Sequence, residues 1–128
     1  MPFYEQTKQE ILNAGKFADL HIALSYEQKV QSFIEGALRD TGLSDSLPII
    51  VGILEAHFFT YGGHPEEMDK CLIDLENSVG REHAATYLRC ADEILKKLKD
   101  NYKHMIELTH MKYIFALINA RLSDEQSS

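Results

Sequence analysis

Residues 81–122 read REHAATYLRCADEILKKLKDNYKHMIELTHMKYIFALINARL, and this stretch decides the fold class. Ala84, Leu88, Ala91, Leu95, Leu98, Tyr102 and Met105 recur at alternating steps of four and three, a heptad-like helical seam. Asp92/Lys96 and Glu93/Lys97 are favourably ordered i,i+4 pairs on its outer face. The stripe resumes with Leu108, Met111, Phe115, Ile118 and Leu122 after a one-residue slip at Met105–Leu108. One unbroken helix of about 40 residues would be roughly 60 Å long, which a compact domain of this size does not hold without a partner chain. A break near Asp100–Lys103 is therefore the preferred reading, and residues 81–122 form a long C-terminal helix or a helix pair.

Upstream, the same 3.6-residue period dominates and strand patterns are almost absent. Pro65 at a first helical position, followed by Glu66 and Glu67 at the positive end of the dipole, opens a helix with a Met68, Cys71, Leu72, Leu75, Val79 stripe. Ser46-Leu47-Pro48 opens another that runs to Tyr61 and stops at Gly62-Gly63. It is apolar on two sides: Leu47, Ile50, Val51, Leu54, Phe58 and Tyr61 make a wide face, and Gly52, Ala56 and Thr60 a small-residue stripe opposite. Such a helix belongs in the middle of a bundle. Ser25 and Gln28 form a capping box that starts a helix or lies within a longer one. Tyr26, Val30, Phe33 and Ala37 share a face that ends at Thr41-Gly42. Tyr4–Ala14, closed by Gly15, is a further helix; Phe17–Leu24 alternates like a short strand but has no pairing partner and is read as helix. The expectation is an all-α, compact bundle of five to six helices with a central helix at about 46–61. Residues 1–122 form a single helical domain, and 123–128 a disordered polar tail.

The chain has 128 residues, a net charge of −7, 45% hydrophobic and 26% charged residues, which excludes a disordered chain. The acidic balance disfavours nucleic-acid binding by bulk charge. No secretory leader or run of membrane-spanning length is read, so a cytoplasmic protein with no membrane partner is expected. Cys71 and Cys90 are then reduced thiols, too far apart for a C-x-x-C site. Phosphate-binding loops, nucleophile elbows and H-E-x-x-H helices are absent from the sequence, so an enzyme is not favoured.

Four features carry candidate chemistry. Glu55 and His57 are the titratable groups of the central helix, read as seam residues, a buried hydrogen bond, or a ligand pair. Two positions apart, they point about 160° away from each other and cannot act on one atom. With Phe58, Tyr61 and His64, around the Gly-Gly turn, they form a candidate ligand pocket. Glu107-x-x-His110 with His104 one turn earlier has the spacing of a carboxylate–histidine metal site, but one such motif stands where those sites need two, so no cofactor is expected and a transition metal is the alternative. Tyr113-Ile114-Phe115-Ala116-Leu117-Ile118 is apolar in nearly every direction. Tyr113, Ile114, Leu117 and Phe59 are therefore expected to form an interaction face, implying a homodimer or a protein partner. Lys96, Lys97, Lys99 and Lys103, interleaved with acids, read as a solvated face.

The leading functional expectation is a small non-enzymatic interaction module, a regulator, adaptor or inhibitor, whose acidity suits a basic partner. A helical ligand- or transition-metal-binding protein is the alternative, and a DNA-binding regulator the second.

Overall fold

The computed structural model describes residues 2–61, 65–102 and 108–127, with residues 59–61, 108, 109 and 127 described by backbone alone. Among them are six helices and no strand: α1 (Phe3–Asn13), α2 (Phe17–Thr41), α3 (Leu47–Tyr61), α4 (Pro65–Val79), α5 (Arg81–Tyr102) and α6 (Leu108–Ser127). A short 3-10 turn, Ser44–Ser46, leads into α3. The molecule is an all-α bundle.

The turns follow from local chemistry. Gly42, at φ +76°, takes the left-handed conformation that ends α2. The Leu43 amide then reaches back to the Leu38 carbonyl (2.9 Å) and the Gly42 amide to the Arg39 carbonyl (3.2 Å). This satisfies carbonyls that have no partner within the helix, and Leu43 packs on the core beside its turn. The same pair of bonds closes α1 at Gly15 and Lys16. The Ser25–Gln28 capping box does not start a helix. It lies inside the 25-residue α2, where the Ser25 hydroxyl donates to the His21 carbonyl four residues back (3.0 Å).

Two helices occupy the middle. α6 packs against α1, α2 and α3, and α3 packs against α4, α5 and α6. The central position of α3 follows from its double-sided apolarity: Ile50, Val51, Leu54 and Phe58 are buried on one side, Ile53 and Ala56 on the other. α5 buries Ala84, Ala91, Leu95 and Leu98 of the heptad-like seam, together with Cys90 and Ile94. Over 81–122 the described residues form α5 and α6; the expected break near Asp100–Lys103 does not fall at 100–102, which are helical, and Lys103 lies outside the described residues. Among the described residues, no helix is long and apolar enough to cross a membrane.

Three expectations are corrected. The buried stripe of α2 is Leu20, Ala23, Glu27, Val30, Ile34 and Leu38, rotated from the expected face. Tyr26 and Phe33 flank it, and each meets Tyr102 edge-on (6.3 and 6.2 Å between centroids). The expected interaction face at 113–117 turns inward. Ile114 and Leu117 are wholly buried, because α1, α2 and α3 surround α6. Tyr113 is half-buried against the same core, and the Phe59 side chain lies outside the described residues. Ile114 and Leu117 therefore offer no face to a second chain, while Phe3, Phe17 and Ile73 remain exposed elsewhere. Finally, residues 123–127 are helical. α6 continues past Leu122 because Asp124 is tied to the start of α1.

Candidate functional site

α6 presents polar residues to α1, α2 and α3. At its C-terminal end, Arg121 donates through Nε to Oε1 of Glu27 (2.8 Å), which is only 2% exposed on α2. The Tyr4 hydroxyl of α1 donates to the other oxygen, Oε2 (2.6 Å). The Arg121 guanidinium also lies over the Tyr4 ring, 4.4 Å from its centroid. Burial pushes the Tyr4 phenol up to about 12, and Glu27 adds to the shift. The hydrogen bond to Glu27 raises Arg121 further. One turn on, Asp124 accepts the amides of Phe3 (2.6 Å) and Tyr4 (3.0 Å), groups that Pro2 leaves uncapped. This clip ties α1, α2 and α6 together, and its polar groups satisfy one another.

At the N-terminal end of α6, the ring of His110 faces Asp19 in the first turn of α2, Nε2 to Oδ1 at 3.0 Å. The other members of the expected metal set, His104 and Glu107, lie outside the described residues. Among the described residues, no three histidines, cysteines or carboxylates gather where they could hold a metal ion.

Asn119, also on α6, faces α3. Its Nδ2 donates to Oε2 of Glu55 (2.7 Å). Glu55 lines a cleft of about 410 Å³ between α3 and α4. Pro48, Ile49, Gly52, Ile53, Leu75 and Val79 supply apolar lining, and Glu67, Lys70 and Asp74 of α4 supply charge. The cleft exists because α4 docks incompletely: of its apolar stripe only Leu75 is buried, while Cys71 and Val79 are half-covered. Gly52 widens it, since a Cβ placed there would touch nothing within 4 Å. Burial raises the Glu55 carboxyl to about 7; Asn119 opposes the shift and Glu67 adds to it. Burial likewise pushes the Cys71 thiol up, helped by Asp74 and Glu55. Cys71 is therefore held protonated, the opposite of what nucleophilic catalysis requires.

Of the three described side chains of the expected ligand pocket, Glu55 alone lines this cleft. His57 points the other way, into a separate space of about 130 Å³ bounded by Ile53, Met68, Leu88, Ala91 and Asp92. Burial lowers its pKa, Lys99 lowers it further and Asp92 opposes. Phe58 is core, stacked on Phe115 with centroids 5.4 Å apart. The Tyr61 side chain and His64 lie outside the described residues. Sequence reasoning missed Glu27, Arg121 and Asn119. The signal for the first two was present: Glu27 falls within the Leu20, Ala23, Val30 stripe, and Arg121 continues the Ile114, Leu117 spacing.

No protein-family model, no curated protein and no solved structure matches this chain.

Proposed function

We propose that the chain is a non-enzymatic protein-interaction module that receives a basic partner on its α4 side. The observation that carries the reading is the charge of α4. Glu66, Glu67, Asp69, Asp74 and Glu76 stand against the single Lys70, which is more than half of the net −7 on 15 residues. The remaining acids are spread along the rest of the sequence. α4 also carries Ile73, 60% exposed, amid that charge. An apolar anchor on a predominantly negative helix suits a partner of the opposite sign, with the field setting the encounter rate.

The test is a titration with a fluorescently labelled lysine-rich peptide at low and high salt. The expected result is binding that weakens with salt and falls when Glu66, Asp69 and Glu76 are changed together to Gln, Asn and Gln. Absence of binding at low salt, or indifference to these substitutions, overturns the proposal.

A further inference from the structure

We propose that the cleft between α3 and α4 is a receptor for a primary alkylammonium group, supplied by a lysine side chain of the basic partner. This deepens the reading above and rests on it for the source of the group. Three features of the cleft converge on that chemistry. Its apolar lining, Ile49, Gly52, Ile53 and Val79, suits a methylene chain. Its charged groups are mostly carboxylates, Glu55, Glu67 and Asp74 against Lys70. A cation is therefore favoured over an anion.

The third feature selects the shape of the cation. Asn119 occupies Oε2 of Glu55 at 2.7 Å and fixes the carboxyl from a different helix. A guanidinium binds a carboxylate best through both oxygens at once, in a planar fork. With Oε2 of Glu55 already accepting from Asn119, Oε1 keeps the greater accepting capacity, which suits a point charge such as an ammonium better than a two-oxygen fork. The volume of about 410 Å³ lies in the range of ligand-binding clefts, so flanking residues of the segment share it with the stem.

The experiment is a titration of the isotope-labelled full chain followed by amide chemical shifts. The probes are n-pentylammonium, n-pentylguanidinium, 1-pentanol, and two short peptides differing only by lysine or norleucine. Expected are shifts centred on Gly52, Cys71 and Asn119 with n-pentylammonium and the lysine peptide, and none with 1-pentanol or the norleucine peptide. The guanidinium binds about fivefold or more weakly, and Glu55→Gln weakens ammonium binding about tenfold or more. Gly52→Leu, which adds a side chain where there is open space within a helix, blocks the cleft while keeping the fold. Binding of n-pentylammonium without the lysine peptide overturns the partner as source and leaves a site for a free amine. Equal binding by wild type and Glu55→Gln, or a guanidinium preference, overturns the site. If the lysine-rich peptide still binds α4 in a salt-dependent way while Glu55→Gln changes nothing, this inference fails and the interaction reading stands.

Discussion

Glu27 is buried and Glu55 half-buried, and both carboxylates are answered from α6, by residues two positions apart. Arg121 and Asn119 therefore point to nearly opposite sides of that helix, one toward α2 and the other toward α3. The difference lies in the charge of the answer. Glu27 meets a cation on one oxygen and a phenol on the other, so its negative charge is compensated where it sits. Glu55 meets a neutral amide on one oxygen, and burial pushes its carboxyl up to about 7. The first site fastens three helices. The second holds a carboxyl whose charge is under-compensated beside open space. Burial of a carboxylate does not by itself mark a functional group; a burial cost that the chain does not offset is the stronger pointer.

Breaking the clip gives the largest expected effect. Arg121→Ala strands the Glu27 carboxylate at 2% exposure and should cost roughly 3–5 kcal/mol, measured by urea unfolding. Replacing the pair together, Glu27→Leu with Arg121→Met, should recover most of that loss, because the penalty comes from the uncompensated charge. A single-mutant cost below about 1 kcal/mol would place the pair among weak surface bridges and erase the contrast with Glu55.

The cleft answers to pH. The folded pKa of Glu55, about 7, lies above the ordinary 4.5, so between these values the folded chain binds more protons than the unfolded one. Its contribution to stability is therefore fully present below about pH 4.5 and is lost as pH rises through about 7, by about 3 kcal/mol at most. Glu55→Gln should remove this slope while leaving stability at acid pH nearly unchanged. An identical pH profile in that variant would show that Glu55 titrates as an ordinary carboxylate and that the two sites do not differ as argued.

The fold class was legible because it rests on period. The seam at 84–102 and the double-sided apolarity of 47–58 each place their helix correctly without knowledge of any neighbour. The candidate sites were less legible because they depend on which helices adjoin. Nothing local to Asn119 says that it faces Glu55, 64 positions away. The inward turn of Ile114 and Leu117 follows from the enclosure of α6 by α1, α2 and α3, a tertiary fact. The end of α6 was misplaced for the same reason. Residues 123–127 are polar and read as a tail, yet Asp124 supplies the cap that Pro2 lacks a side-chain oxygen to provide. Asp124→Ala should therefore cost about 1 kcal/mol, and hydrogen exchange should accelerate at the start of α1.

The smallest expected effect has the opposite sign and separates the two sites most sharply. Gly52 is an interior helical residue without a positive φ, and a methyl group there meets nothing within 4 Å. Glycine at such a position costs roughly 0.5–1 kcal/mol relative to alanine through backbone entropy. Gly52→Ala should accordingly stabilise the chain by about that amount, visible as a rise in the thermal midpoint. No comparable gain is available in the clip, where the side chains that meet around Glu27 already occupy one another. If Gly52→Ala destabilises, the floor of the cleft is closed to a methyl group and the space assigned to a ligand is filled. If it stabilises, the chain forgoes stability to keep the floor beside Glu55 clear, the trade expected at a binding site.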